Sequence, residues 1–148
     1  MEVVPADVVP SEPAGGGAAS IGAHGLGVHN VVLQFADRTV IFHVTLLEGS
    51  VFLWVGGAEL GIGDLKVATP TKYDTLPSVA TVRGEGDGPG SAIAQRLSRR
   101  FGCLVFASFN LSNPEPDLML FVQKEAARIL GELLGAEPSP ALAGPSAG

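Results

Sequence analysis

The sequence predicts an α+β fold, an antiparallel β-sheet or sandwich of about six strands with two main flanking helices. Short runs that are apolar on one or both faces, separated by turn residues, fill the first half of the chain. Two later segments carry apolar residues at helical spacing, and strand-like runs separate them. The predicted order is therefore a series of antiparallel strands, one helix, two more strands and a last helix.

The domain organisation follows from where the large apolar residues lie. Of the 148 residues, 46% are hydrophobic, and nearly all the large ones lie between residues 28 and 134, which suffices for one core. Pro, Gly and Ala dominate both ends of the chain without a periodic apolar pattern. We therefore expect a disordered N-terminal tail at residues 1–24, one α+β domain at 25–134 and a disordered C-terminal tail at 135–148.

Strands are predicted from alternation of apolar and polar residues. Val31, Leu33 and Phe35 fall on one face of a first strand, and turn residues precede the next. The segment VFLWV at residues 51–55 is apolar on both faces. It is therefore expected at the centre of a sheet that a helix, another sheet or a partner chain covers on each side. The runs that predict these strands are residues 28–37, 39–55, 64–69 and 78–82.

Two helices and two further strands are predicted in the second half of the chain. Ser91 is expected to cap a first helix with Ile93 and Leu97 in its apolar stripe, and Gly102 is expected to end it. Residues 103–109 are again apolar on both faces and predict a buried strand. The run DLMLFV at 117–122 predicts another strand. A C-terminal helix follows, with apolar residues at helical spacing: Ala126, Ile129, Leu130, Leu133 and Leu134.

Composition and charge narrow the possible partners and compartments. Nine Lys and Arg against fifteen Asp and Glu give a formal charge of −6, which opposes nucleic acid or an anionic membrane as a partner. One cysteine, Cys103, excludes an intramolecular disulfide and suits a reducing compartment. No signal peptide and no run of about 18 apolar residues is visible. A cytoplasmic location is expected, and a nuclear one is also open.

No catalytic, cofactor or metal site is predicted. The histidines His24, His29 and His43 have no partner at a useful spacing, and the carboxylates sit at turns or strand ends without forming a marked pair. The segment GEGDGPGS at 84–91 leads into a helix as a phosphate-binding loop would. It lacks the lysine of a P-loop, and its own acidic residues would repel phosphate. We expect a surface loop.

The most informative polar group consists of Arg96, Arg99 and Arg100 on the first predicted helix. These arginines are either the solvated face of an amphipathic helix or an anchor for an acidic protein surface. Alternative functions stay open at this point: a small anion- or metabolite-binding domain or enzyme that uses the glycine-rich loop and the arginines, or a generic dimeric adaptor.

Three segments, residues 42–56, 72–82 and 93–111, together resemble the proteasome assembly chaperone 4 family. The family's recognisable elements are an F-H-V strand, an F-L-W-V-G strand, a Y-D-x-(L/I)-P turn, an A-Q-R-L helix and an S-(F/Y)-N-L strand end. All five occur here in this order. The chain departs from the family pattern in its tails and in the glycine-rich segment 84–90.

The resemblance implies a scaffold without catalytic residues that forms a heterodimer with proteasome assembly chaperone 3. It also implies a role in assembling the ring of α-type proteasome subunits. Arg96 falls in the A-Q-R-L motif, and Tyr73 and Asp74 fall in the turn motif. We expect these three residues, with Arg99 and Arg100, to face a partner or to stabilise the structure around them.

Overall fold

A computed structural model describes Glu2–Val3 and residues 27–135 of the chain. The strands are β1 (Glu2–Val3), β2 (Gly27–Phe35), β3 (Arg38–Leu47), β4 (Ser50–Gly56), β5 (Leu65–Thr69), β6 (Ser78–Arg83) and β7 (Leu104–Phe109). The helices are α1 (Pro89–Phe101) and α2 (Pro116–Leu133). The tails predicted at 1–24 and 135–148 lie outside the described residues, except for Glu2–Val3 and Gly135.

All the strands belong to one sheet in the order β1-β2-β3-β4-β7-β5-β6. Neighbouring strands are antiparallel except for β4 and β7, which are parallel with Val51 opposite Val105. The predicted α+β class with a mostly antiparallel sheet is confirmed. The two segments that are apolar on both faces form the central parallel pair, where each strand has a neighbouring strand on both sides.

One face of the sheet packs against both helices and forms the core. Its buried residues include Phe42, Leu53 and Val105 from the strands, and they form one cluster with the apolar stripes of α1 and α2. The rings of Phe35 on β2 and Phe121 on α2 lie 4.9 Å apart. Because side chains alternate along a strand, every second residue of β2, β3, β4 and β7 is thereby committed to this core.

The opposite face of the sheet, which we call the open face, is covered by no described helix. It carries the remaining alternate residues of four strands: Asn30, Val32, Ile41, His43, Thr45, Phe52, Trp54, Leu104, Phe106 and Ser108. Most of these side chains are only partly buried. The sequence predicts a cover on each side of the central strands. Within the described residues, helices cover one side only.

The strand predicted at 117–122 is wrong, because this run forms the first turns of α2. Pro116 occupies the start of the helix, where its missing N–H costs nothing, and Asp117 favours the positive end of the helix dipole. The buried residues Leu118, Val122 and Ala126 continue one stripe into the predicted C-terminal helix. A short apolar run fits a strand or a helix equally well until its packing partner is known.

The expected cap at Ser91 is also wrong. Helix α1 begins at Pro89 with Gly88 as its N-cap, and the amide of Ser91 donates to the carbonyl of Gly88 at 3.0 Å. Proline has a backbone angle already suited to the first helical position, which moves the start upstream. The predicted end is correct: Gly102 has a left-handed φ of 65°, and its N–H donates to the carbonyl of Ser98 at 2.8 Å.

Candidate protein-interaction surfaces

The open face presents aromatic and aliphatic side chains across the centre of the sheet. Phe52 and Phe106 are opposite each other in the central parallel pair, and Ile41 lies on the neighbouring strand β3. All three are partly exposed. Partly exposed aromatic and aliphatic side chains on a sheet face without a helix are typical of a surface that contacts another protein.

A small polar group lies within this apolar surface. The ring atom Nδ1 of His43 lies 2.6 Å from Oδ1 of Asn30, and Nε2 lies 3.3 Å from the hydroxyl of Thr45. Since a carbonyl oxygen only accepts, Nδ1 carries the proton and Nε2 accepts from Thr45. Burial lowers the pKa of His43. The neutral ring is therefore favoured, and it satisfies both neighbours without adding charge to the face.

A loop at residues 57–64 closes over one end of the open face. The indole N–H of Trp54 donates to the carbonyl of Gly61 at 2.8 Å, and Oδ1 of Asn110 accepts from the amide of Gly63 at 2.8 Å. The Ser108 hydroxyl donates to the carbonyl of Asp64 at 2.6 Å. Two of the family-like motifs, F-L-W-V-G and S-F-N-L, therefore supply the side chains that anchor this loop.

The glycine-rich segment is anchored by a buried ion pair. Lys66 on β5 is fully buried, pairs with the carboxylate of Asp64, and donates to the carbonyl of Glu85 at 2.7 Å. A Cβ on Gly90 would lie 2.3 Å from Oδ2 of Asp64, so only glycine fits there. The Asp64 carboxylate therefore occupies the space beside the first turn of α1, and its ion pair with Lys66 holds the glycine-rich segment in place.

The turn that contains Tyr73 and Asp74 is held by its neighbours. The hydroxyl of Thr71 accepts from the amides of Tyr73 at 3.2 Å and Asp74 at 3.0 Å. The side chain of Gln95 on α1 donates to the carbonyl of Pro77 at 2.9 Å, which ties the turn to the A-Q-R-L helix. Tyr73 itself is 91% exposed. The motif thus builds a turn that displays its aromatic residue to solvent.

The predicted arginines line a groove between α1 and α2, which we call the helix groove. Its lining residues are Ile93, Arg96, Leu97, Arg99, Arg100, Leu120, Gln123, Lys124 and Ala127, around a cavity volume of about 470 Å³. The glycine-rich segment and the turn of Tyr73 and Asp74 contribute none of them. The structure therefore unites the three arginines and separates them from the other predicted site residues.

The half of the helix groove that α2 supplies was absent from the sequence-based prediction. Lys124 and Leu120 come from α2, and Leu120 lies in the run 117–122 for which the sequence predicts a strand. The missed signal was the helical spacing of Leu118 and Phe121 with the later stripe of α2. Which helix packs beside α1 is a tertiary property that spacing alone does not reveal.

The remaining titratable groups form no reactive cluster in the part of the chain that the structure describes. His29 and His43 lie on opposite faces of the sheet, and His24 lies outside the described residues. Burial raises the pKa of the Cys103 thiol, which favours its unreactive protonated form. Among residues 27–135, no group of three or more His, Cys, Asp or Glu could hold a metal ion. None of the described helices is both long enough and apolar enough to cross a membrane.

Comparison with known proteins identifies the family. Residues 39–111 match the family model of proteasome assembly chaperone 4. The chain is 38% identical over 96 residues to proteasome assembly chaperone 4 of Mus musculus and 36% identical over 96 residues to that of Homo sapiens. Each match covers 64% of this chain and 77% of the relative.

The fold is also found among solved structures. One chain of a crystal structure described as a novel chaperone complex for yeast 20S proteasome assembly superposes with a TM-score of 0.60 at 15% identity. The match covers 74% of this chain and 98% of that one. With the sequence relatives and the family model in agreement, the chain belongs to the proteasome assembly chaperone 4 family.

Proposed function

We propose that this protein is a non-enzymatic chaperone that forms a heterodimer with proteasome assembly chaperone 3 and promotes assembly of the α-ring of the proteasome core particle in the cytoplasm. The observation that carries the proposal is the open face, an apolar sheet surface that the described helices leave uncovered. Family membership provides the assembly role, and the open face provides a reason for a stable partner.

The open face suits a second sheet better than a small ligand. It is broad, it is centred on the Phe52 and Phe106 pair, and its polar group around His43 is already satisfied internally. Two such sheets packed face to face would bury their inner side chains as in a β-sandwich. The related chaperone is the proposed occupant of this face.

The helix side of the domain is then free for an α-type proteasome subunit. Arg96, Arg99 and Arg100 lie there, and the exposed Tyr73 extends from a turn tied to the same helix. We assign Asp74 to the same contact because it is exposed beside Tyr73. Polar contacts of this kind allow moderate affinity, which suits a chaperone that must be released after assembly.

Co-expression with proteasome assembly chaperone 3 tests the role of the open face. Ile41→Asp places a charge in the apolar surface and should abolish co-purification, because an unpaired carboxylate would be buried in the interface. Leu134→Asp introduces the same charge at an exposed position on the helix side and should leave the heterodimer intact. Circular dichroism must show that both variants are folded.

The outcome of the same experiment decides the proposal. Equal recovery of the heterodimer with Ile41→Asp and Leu134→Asp would contradict pairing through the open face. Recovery of no α-type subunit by the wild-type heterodimer would contradict the assembly role. Saturable binding of a phosphorylated metabolite that is lost with Arg96→Glu would instead favour a metabolite-binding domain.

A further inference from the structure

We propose that the helix groove binds an acidic segment of a partner protein and inserts one of its leucine-like side chains between α1 and α2. The inference rests on the proposed function, since it names the chemistry by which the helix side would recognise an α-type subunit. It follows from the positive charge around the groove, from the apolar floor of the groove and from the contrast between Lys124 and the ion-paired Arg128 one turn later on α2.

Positive charge is concentrated in the helix groove although the whole chain is acidic. Four of the nine Lys and Arg residues line it, on a chain with a net charge of −6: Arg96, Arg99, Arg100 and Lys124. None of the described carboxylates forms an ion pair with them. Arg99 and Arg100 also suit the negative end of α1, but Arg96 and Lys124 have no such role.

Arg128 on α2 provides an internal comparison. Its guanidinium contacts Glu125 at 2.7 Å and Glu132 at 3.1 Å, and the hydrogen bond to Glu125 is the main cause that raises its pKa. Lys124, one turn earlier on the same helix, has no such partner among the described residues. On α2, the cation outside the helix groove, Arg128, is therefore neutralised by ion pairs, whereas Lys124 inside the groove remains available to a partner.

The floor of the groove is apolar. Ile93 and Leu97 are buried at its base, Ala127 is partly buried beside them, and Leu120 stands 57% exposed. A phosphate or a nucleic acid backbone would gain nothing from this floor, whereas an acidic amphipathic segment would use both the floor and the cations. Arginine is also well suited to pair with carboxylates at a protein interface.

The groove has room for such a segment. Its volume of about 470 Å³ is in the range of sites that enclose several side chains or a small ligand. The guanidinium of Arg100 lies 5.5 Å from the centre of the Phe101 ring, a distance at which a cation is attracted to an aromatic face.

Fluorescence anisotropy with the full chain tests the inference directly. The probe is a labelled amphipathic peptide of glutamate and leucine, compared with peptides in which glutamine replaces glutamate or alanine replaces leucine. We expect the first peptide to bind and each replacement to weaken binding by about tenfold or more. Added salt should weaken binding too, because the cations are at the surface. A single-stranded oligonucleotide of equal charge should bind more weakly than the peptide.

Matched charge reversals locate the site. Arg96→Glu combined with Lys124→Glu changes one cation on each wall of the groove and should abolish peptide binding. Arg128→Glu changes the paired cation outside the groove and should leave peptide binding intact. No binding by the wild-type chain, or equal binding by both variants, would overturn the inference. Tighter binding of the oligonucleotide than of the peptide would overturn the inference in favour of nucleic acid. If the wild-type chain forms an oligomer and the double variant is a monomer, the groove binds a second copy of the chain instead.

Failure of this inference is distinguishable from failure of the proposed function. If the double variant still forms the heterodimer with proteasome assembly chaperone 3 and captures α-type subunits as the wild type does, the groove assignment fails and the chaperone role stands. If the wild type captures no α-type subunit, the chaperone role fails, and the peptide experiment still reports on the groove.

Discussion

Replacement of Gly56 by alanine should loosen the end of the open face. A Cβ at this position would lie 2.3 Å from Cη2, 2.5 Å from Cζ2 and 3.0 Å from Cζ3 of the Trp54 ring. Both residues belong to β4, so the ring must move away from the strand. Its indole N–H would then leave the carbonyl of Gly61, and the 57–64 loop would lose an anchor.

The size of this effect can be estimated from the two contacts. Overpacking a buried site costs about 1–3 kcal/mol, and loss of one buried hydrogen bond costs about 1 kcal/mol. We therefore expect Gly56→Ala to lower the free energy of unfolding by about 2–4 kcal/mol. Gly57→Ala is the matched control, because its Cβ would meet Thr39 and Leu111 at ordinary distances of 3.6 and 3.7 Å. The loss of unfolded-state freedom is common to both variants.

Urea denaturation followed by circular dichroism measures the free energy, and fluorescence reports on the ring. Trp54 is the single tryptophan of the chain, so its emission is specific. We expect a red-shifted emission for Gly56→Ala and none for Gly57→Ala. If the two variants unfold at the same urea concentration with the same emission, the close approach of Trp54 to Gly56 is refuted.

Three further outcomes follow from buried polar groups. Lys66→Met should lower the free energy of unfolding by about 3 kcal/mol, because Asp64 loses its ion-pair partner. In urea denaturation the control Lys124→Met, at an exposed position, should be as stable as wild type. Equal stability of the two variants would contradict a stabilising ion pair between Lys66 and Asp64. Burial lowers the pKa of His43 in the folded state, so the His43 ring binds a proton more readily in the unfolded chain. The contribution of His43 to the free energy of unfolding should therefore fall as the pH drops through 6.5, the ordinary pKa of a histidine. Thermal melts above and below that pH should show a smaller acid loss for His43→Gln than for wild type, and identical losses would exclude the effect. Because burial raises the pKa of Cys103, a maleimide should modify the native chain slowly at neutral pH and the urea-unfolded chain faster, whereas equal rates would show an accessible thiol.

Three apolar segments show why some elements could be predicted from the sequence and one could not. Residues 51–55 and 103–109 are apolar on both faces and bounded by turn residues, and they became the central strands. Residues 117–122 have an equally apolar composition but became helical, because Pro116 starts a stripe that continues to Leu130. Composition alone did not distinguish them.

The candidate site was predictable only in part for a related reason. The arginines of α1 could be recognised from charge on an amphipathic helix, but their neighbours Leu120 and Lys124 come from α2. Burial of Lys66 was equally hidden, since its position between two apolar residues says nothing about the glycine-rich segment that covers it. Both facts depend on segments that are distant in the sequence.

The sequence by itself determined the α+β class, the helix end at Gly102, the central place of the two-faced strands and the family motifs, because these depend on local periodicity and on turn chemistry. Tertiary structure alone decided that the two described helices both pack on one face of the sheet and that no described helix covers the other. It also decided that α2 completes the groove beside the arginines and that the ion pair of Asp64 and Lys66 anchors the glycine-rich segment. These properties arise from contacts between segments that are distant in the sequence. The free energies of such contacts cannot be read from a local sequence pattern.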